Sequence, residues 1–121
     1  MTNHPIVHIE LSAIDPKTAG KFYGDIFNWK INIMEAMEYV TWAPETEPGG
    51  GFNPVTEENP AGTVLIYIQV DDIEAKLKQI EKHGGKTLTP KSEIPGTGYF
   101  AIFSDPTGNN IGLFTPLKMV G

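Results

Sequence analysis

Apolar and polar residues alternate at the start of the chain. One face of the segment 6–11 carries Val7, Ile9 and Leu11, and the other carries Ile6, His8 and Glu10. Period-two alternation is typical of a strand with one buried face. We therefore predict a first strand over residues 6–11, with His8 and Glu10 side by side on the same face.

The apolar spacing becomes helical after Asp15. Apolar residues then recur every three or four positions, at Ala19, Phe22, Tyr23, Ile26 and Phe27. Asp15 suits the N-cap, and Pro16 suits the first helical position. Asn28 is a residue type that ends helices. The pattern predicts a helix from Pro16 to Phe27.

The remaining pattern predicts mainly strands and one further helix. The predicted strands cover residues 29–34, 37–42, 63–70, 86–88, 99–103 and 111–114. Residues 44–60 are rich in Pro, Gly and Glu and indicate a loop or a weak strand. Ile73, Leu77 and Ile80 line a helix that begins after Asp72 and ends at Gly84. Residues 105–109 have the Pro and Gly of a tight hairpin turn.

The second half repeats the order of the first. Sliding the sequence by 57 residues places His8 on Leu65 and Glu10 on Tyr67. We predict a single α+β domain over residues 1–121, made of two tandem βαβββ modules that cover about residues 1–58 and 59–121.

Composition excludes several classes of protein. The 121 residues contain nine lysines, no arginine and no cysteine, with a net charge of −6. A disulfide scaffold, a thiolate nucleophile and a cysteine metal site are therefore excluded. An acidic chain without arginine argues against nucleic-acid binding. We expect no signal peptide, because residues 1–5 contain no basic segment followed by an apolar stretch. We expect no membrane partner, because the longest apolar run is 64–68, and we expect a cytoplasmic location.

Several motifs together resemble the vicinal oxygen chelate superfamily, also called the glyoxalase/bleomycin resistance protein/dioxygenase family. They are His8-x-Glu10, Phe22-Tyr23-Gly24 followed by Phe27-Asn28-Trp29, Val70-Asp71-Asp72, and Asp105-Pro106-Thr107-Gly108-Asn109. They span nearly the whole chain in family-like order. The resemblance implies curved mixed sheets round a cleft and a homodimer.

The resemblance also implies a divalent metal in the cleft of many members. His8 matches the first-strand ligand of that site, but the other ligand positions fall on Leu65, Gly112 and the glycines Gly49–Gly51. His8 is then the only matching ligand position. We expect no metal or other cofactor, because metals need several converging N or O donors.

Strand alternation places most side chains of a candidate small-molecule site on one face, and the aromatic residues Tyr39, Trp42 and Phe52 are added to them. The candidate catalytic pair is His8 and Glu10, and the candidate ligand-binding residues are Tyr39, Trp42, Phe52, Leu65, Tyr67, Gly112 and Phe114. A mostly apolar, aromatic surface with a few polar groups is typical of such sites. The alternative interpretation is that His8 and Glu10 form a polar face that is hydrogen-bonded to neighbours or water. Function is favoured over it, because both groups are titratable and the repeat places them on the ligand side. Gly49–Gly51 is not a phosphate-binding loop, because no Gly-Lys-Ser/Thr follows it.

Three hypotheses about function remain at this point. The first is a metal-free protein that binds a small apolar or aromatic, weakly polar ligand, and the missing metal ligands favour it. The second is an enzyme of the same fold, a lyase, isomerase or dioxygenase, with an atypical metal site on His8 and Glu10. The third is a metal-independent enzyme that uses His8 and Glu10 as general acid and base. The fold alone does not decide among them.

Overall fold

The computed structural model describes residues 4–37 and 39–117, which form two compact units. The first unit is Val7–Ile66, and the second combines residues 4–6 with residues 67–117. The chain start from which we predict no signal peptide lies partly outside the described residues, as does residue 38 of the strand predicted over 37–42.

The first unit packs one helix against a mixed sheet. Its elements are β1 (Ile6–Ala13), α1 (Pro16–Phe27), β2 (Lys30–Met34), a 3-10 turn (Glu35–Met37), β3 (Tyr39–Ala43) and β4 (Gly49–Pro54). The strands lie in the order β2-β3-β4-β1. β1 runs parallel to β4, and the other neighbours are antiparallel.

The second unit has the same plan. The chain enters it along β5 (Val64–Gln69) and continues through α2 (Ile73–Lys82), β6 (Lys86–Ile94), β7 (Gly98–Ser104) and β8 (Asn110–Pro116). The strand order is β5-β8-β7-β6, with β5 parallel to β8 and the other pairs antiparallel. The predicted α+β class and the tandem βαβββ order are thus confirmed.

Local capping explains the boundaries of α1. The Asp15 carboxylate accepts hydrogen bonds from the backbone N–H groups of Lys17 (3.1 Å) and Thr18 (3.3 Å). Asn28 adopts a left-handed conformation (φ 60°), and its N–H donates to the carbonyl of Gly24. These contacts satisfy backbone groups that a helix end leaves unpaired. The helix therefore begins and ends where the sequence predicts.

An aromatic core lies between α1 and the sheet of the first unit. Its buried residues are Ala13, Val40, Trp42 and Phe52, with Tyr23 and Trp29 packed against them. The Trp29 and Trp42 rings stack with centroids 4.4 Å apart, and the Tyr23 and Phe52 rings stack at 5.7 Å. Because Ile9 and Leu11 of β1 also pack here, His8 and Glu10 point to the opposite face.

The core of the second unit lies between α2 and its sheet. It consists of Val70, Ile73, Leu77, Ala101, Phe103 and Leu113. The Asp72 carboxylate caps α2 by accepting from the N–H of Ala75 at 3.0 Å. Ile73 and Leu77, on the same side of α2, are the buried residues of that helix, as its spacing predicts.

Two strands differ most from their predictions. Where residues 44–60 indicate a loop or a weak strand, β4 forms over Gly49–Pro54, paired on both sides and carrying the buried Phe52. β6 extends to Ile94, with one register shift between Thr87 and Thr89 and a second between Thr89 and Ser92, which spans Pro90. Proline lacks the backbone N–H that a strand ladder needs, so a segment that contains proline is not predicted as a strand from its sequence pattern.

Neither described helix is long and apolar enough to cross a membrane.

Candidate functional site

His8 and Glu10 form a hydrogen-bonded pair on β1. His8 Nε2 lies 3.0 Å from Glu10 Oε2. About a third of the His8 side chain is exposed (33%), whereas the Glu10 side chain is 9% exposed. The Glu10 carboxylate is therefore the buried partner of the pair, and the His8 imidazole is the partner that is accessible to solvent or to a ligand.

Tyr39 joins this pair from a different strand. Its hydroxyl donates to Glu10 Oε2 at 2.6 Å and lies 3.0 Å from His8 Nε2. Tyr39 begins β3, which is separated from β1 by β4. The three side chains thus form a closed triangle, here called the His8–Glu10–Tyr39 triad, over the face of β4 that points away from α1.

Gly51 makes room for the triad. It is paired in register with Glu10 on the neighbouring strand. A methyl group at this position would overlap the Tyr39 hydroxyl and lie 2.6 Å from Glu10 Oε2. On the other face of β4, a methyl group on Gly50 would overlap the Trp42 ring. The glycines of β4 therefore let large side chains lie flat on the strand.

Hydrogen bonding compensates the burial of Glu10. A carboxylate taken out of water without partners is strongly disfavoured. Glu10 has 7% of its surface exposed, and its Oε2 atom meets both the Tyr39 hydroxyl and His8 Nε2. Within residues 4–37 and 39–117, no buried side-chain N or O atom lacks a hydrogen-bond partner. The triad is thus a satisfied polar network that fixes its members in place.

This arrangement gives His8 two chemical abilities. An imidazole oriented by a buried carboxylate can bind a ligand by a hydrogen bond with a defined direction. The same geometry, a partly exposed base held by a second group, is that of a general acid or base in many enzymes. The site therefore supports either recognition or proton transfer.

The residues at this site do not fit the divalent metal that the family resemblance implies. His8 Nε2 already faces two oxygen atoms at 3.0 Å. In the described part of the chain, no group of three or more His, Asp or Glu side chains could hold a metal ion. At Gly112, the space that a larger side chain would occupy is filled by the Tyr67 ring. We derive no metal chemistry from this donor set.

The structure separates the candidate ligand-binding residues of the first unit. Tyr39 belongs to the triad, and Leu65 is half-buried on β5. Trp42 and Phe52 lie instead in the core against α1, with 5% and 1% of their surfaces exposed. Position 39 and position 42 fall on opposite faces of β3, which is why one meets His8 and the other does not.

The candidates of the second unit lie on the sheet face opposite α2. Tyr67 pairs with Gly112, and Phe114 pairs with Phe100 across β7 and β8. Tyr67, Phe100 and Phe114 are all half-buried. Phe100, like Ile102 two positions on, was not among our sequence candidates. The alternation of β7 would have indicated both, since their neighbours Ala101 and Phe103 belong to the core.

A pocket of about 320 Å³ in the first unit shares Tyr39 with the triad. Its lining residues are Asp15, Pro16, Lys17, Ile33, Glu35, Tyr39, Val40 and Pro54. Lys17 Nζ and Glu35 Oε1 are 3.5 Å apart at this pocket. Both side chains are largely exposed, so their pairing contributes little to stability. Neither His8 nor Glu10 lines the pocket, and we assign no chemistry to it.

Two features of the site are not predicted from the sequence. The pattern indicates Tyr39 as a ligand-binding residue but not as a hydrogen-bond partner of Glu10, and it indicates no structural role for Gly51. Tyr39 is 29 residues from Glu10, and no local periodicity connects such positions. The run of three glycines was the available signal, because glycine in a strand often marks a close approach.

Comparisons with known proteins agree with this fold. A sequence model of the Glyoxalase/Bleomycin resistance protein/Dioxygenase superfamily matches residues 5–113. A glyoxylase-like domain-containing protein of Didymella fabae is 32% identical over 115 residues, covering 88% of this chain and 90% of that protein. CFP32 of Mycobacterium bovis, whose name places it among glyoxylases, is 27% identical over 120 residues. This alignment covers 93% of this chain but 46% of CFP32, so the chain spans about half of that relative.

Solved structures show the same architecture. A glyoxalase/bleomycin resistance protein/dioxygenase superfamily member from Vibrio splendidus superposes with a TM-score of 0.69 at 14% identity. The superposition covers 93% of this chain and 99% of that one. At this identity the likeness concerns the fold alone. From the match over residues 5–113 and the Didymella relative, the chain belongs to the glyoxalase/bleomycin resistance protein/dioxygenase superfamily.

Proposed function

We propose that this protein binds a small, weakly polar organic molecule without a metal, and that His8 provides the polar contact. The observation that carries the proposal is the contrast in exposure within one hydrogen-bonded pair. The His8 side chain is 33% exposed, whereas its anchor Glu10 is 9% exposed. An imidazole that is held by a buried carboxylate and is still one-third exposed is suited to orienting a ligand.

The composition of the chain supports an uncharged ligand. The chain contains no arginine and has a net charge of −6. Two of its nine lysines lie on α1, at positions 17 and 21, and three lie on α2, at positions 76, 78 and 82. Anionic groups are most readily held by guanidinium or a bound cation. Glu10 adds a carboxylate at the site itself, which disfavours an anion further.

Among residues 4–37 and 39–117, no group of three or more His, Asp or Glu side chains could hold a metal ion, which supports the metal-free part of the proposal. Binding a transition metal needs several donors at about 2.0–2.2 Å. Elemental analysis of protein purified without chelator tests this part, followed by titration with Ni²⁺, Zn²⁺, Fe²⁺ and Mn²⁺. We expect less than stoichiometric metal. A stoichiometric metal that is lost in His8→Ala would overturn the metal-free proposal.

Ligand binding is tested by a thermal-shift screen of neutral phenols, ketones and amides, followed by calorimetric titration of the compounds that stabilise the protein. We expect His8→Ala to weaken binding of such compounds by roughly tenfold, the value of one net hydrogen bond. His83→Ala is the matched control, because His83 is exposed at the end of α2. Equal loss in both variants would contradict the assignment to His8.

A second candidate function is metal-independent proton transfer by His8 and Glu10. The 3.0 Å contact between a partly exposed imidazole and a buried carboxylate favours it. Under this alternative, Glu10→Gln would retain ligand affinity and lose turnover, because the neutral amide no longer stabilises a protonated imidazole. Under the binding function, no compound that binds is converted, and product analysis after prolonged incubation distinguishes the two.

We extend the proposal to assembly on the strength of family membership. The resemblance in sequence implies a homodimer, and light scattering of the purified chain checks this prediction. A monomer mass at micromolar concentration would contradict it.

A further inference from the structure

The apolar stripe of α1 is wider than the part that the core buries. Its helical spacing predicts one buried face, and Ala19 and Tyr23 do pack against the core of the first unit. Phe22 and Ile26 remain 55% and 59% exposed. These two residues are four positions apart, so they form one apolar row along the helix surface, here called the Phe22–Ile26 row. Adjacent exposed apolar side chains, unlike single ones, indicate a contact surface.

A pair of opposite charges lies beside this row. Lys21 Nζ and Asp25 Oδ2 are 2.8 Å apart, and the two side chains are 79% and 63% exposed. They are also four positions apart, so they form a second row next to the first. Their charges cancel, although the whole chain carries a net charge of −6. Local neutrality favours self-association here, because two copies of an acidic chain repel each other overall.

We propose that α1 packs antiparallel against α1 of a second copy of this chain, with the Phe22–Ile26 row at the centre of the contact. A twofold axis across the helices reverses the direction of each row. Phe22 then meets Ile26 of the second copy, and Lys21 meets its Asp25. This inference rests on the proposed homodimer and names the surface that forms it.

The order of the two rows selects the antiparallel direction. In a parallel pair, the twofold axis would place the charged row of one copy on the apolar row of the other, and burying charges against apolar groups is costly. In the antiparallel pair, apolar residues meet apolar residues. Each Lys21 then lies near the Asp25 carboxylates of both copies, and no like charges face each other. The surface of α1 is therefore complementary to itself.

A charge placed in the apolar row tests the contact. The dissociation constant of the full chain is measured by sedimentation velocity over a dilution series, for wild type, Phe22→Glu and Leu88→Glu. Leu88 is the control, because it is a 46% exposed apolar residue on β6. We expect Phe22→Glu to weaken dimerisation by roughly thirtyfold, as at a residue central to a contact, and Leu88→Glu to leave it unchanged. Circular dichroism checks that each variant is folded.

Two charge reversals test the direction of packing. Asp25→Lys makes the charged row positive, and Lys21→Glu makes it negative, so each variant alone should dimerise roughly tenfold more weakly than wild type. An equal mixture should form heterodimers about as tightly as wild type, because opposite charges again face each other. Each helix keeps its own like-charged pair, so this recovery arises only across the contact. Glu74→Lys and Lys78→Glu reverse two charges at the same spacing on α2 and should change nothing, alone or mixed.

The outcomes separate the inference from the homodimer on which it rests. A wild type that is monomeric at micromolar concentration overturns both, and leaves ligand binding by His8 to its own test. A dimer that is equally stable in wild type and Phe22→Glu overturns the assignment to α1 and leaves the homodimer standing. Equal weakening by Leu88→Glu, or a mixture of the charge variants that recovers no affinity, also overturns the assignment.

Discussion

The hydroxyl of Tyr39 on β3 and the carboxylate of Glu10 on β1 meet across 2.6 Å above the intervening strand β4. This contact closes the triad with His8, and it is made possible by Gly51, which leaves the strand surface flat. The partly exposed imidazole of His8 is thereby supported by a partly buried hydrogen bond between two strands that are not neighbours. If His8 binds a ligand as proposed, the same contact serves both stability and binding.

Removing the Tyr39 hydroxyl should destabilise the protein. Tyr39→Phe deletes a hydrogen bond to a buried carboxylate, and we expect a loss of roughly 1–3 kcal/mol in the free energy of unfolding. Urea denaturation measures it. Tyr99→Phe is the control, because the Tyr99 hydroxyl makes no hydrogen bond among the residues that the structure describes and its ring lies under Lys91. Equal stability of Tyr39→Phe and wild type would contradict the role assigned to the hydroxyl.

A methyl group at position 51 should disrupt the triad. We expect Gly51→Ala to cost about 1–3 kcal/mol, as overpacking does, and to cost less in a Tyr39→Ala background, where the overlapping group is gone. A double-mutant cycle measures this coupling. Gly24→Ala in α1 is the control, since its nearest contact is the flexible Ile31 side chain at 3.1 Å and alanine favours helix. Strict additivity of the Gly51 and Tyr39 changes would argue against a shared space.

Phe52 should behave as a core residue and not as a ligand contact. Its side chain is 1% exposed and packs against Tyr23. Phe52→Ala should therefore cost about 3–5 kcal/mol, as measured by chemical denaturation. Phe22→Ala, at a phenylalanine that is 55% exposed on α1, should cost far less. A small effect at both positions would show that Phe52 is not packed as the structure describes.

The hairpin turn between β7 and β8 should make stability depend on pH. Asp105 accepts hydrogen bonds from the backbone and side chain of Asn109 and from Thr107, and these contacts hold the pKa of its carboxyl well below the usual range. A carboxyl with a lowered pKa in the folded state stabilises the protein above its ordinary pKa, near 4. That contribution is lost progressively as the pH falls below this value.

Asp105→Asn should accordingly be less stable than wild type at pH 7, and the difference should shrink as the pH is lowered below about 4. Thermal unfolding of both proteins over a series of pH values measures the trend. Glu57→Gln, in the exposed loop after β4, should show no such convergence. A difference that is constant with pH would mean that the carboxylate charge is not what stabilises the turn.

The confirmed predictions are those that depend on contacts between residues close together in the sequence. The caps Asp15 and Asn28 set the ends of α1 through contacts within four residues, and the turn at 105–109 closes through the hydrogen bond from Asp105 N–H to the Asn109 carbonyl. β4 was harder to predict because three glycines and a proline give it low intrinsic strand preference. It forms because β1 and β3 pair with it on either side.

The sequence by itself determined that the chain is α+β with a repeated plan, and that His8 and Glu10 share a face of β1. Both follow from short-range periodicity, which fixes the direction of neighbouring side chains. Only the tertiary structure decided that Tyr39 completes the pair while Trp42 and Phe52 fill the core. That choice depends on how β3 and β1 align with β4, since a shift of one residue in strand register moves every side chain to the other face of the sheet.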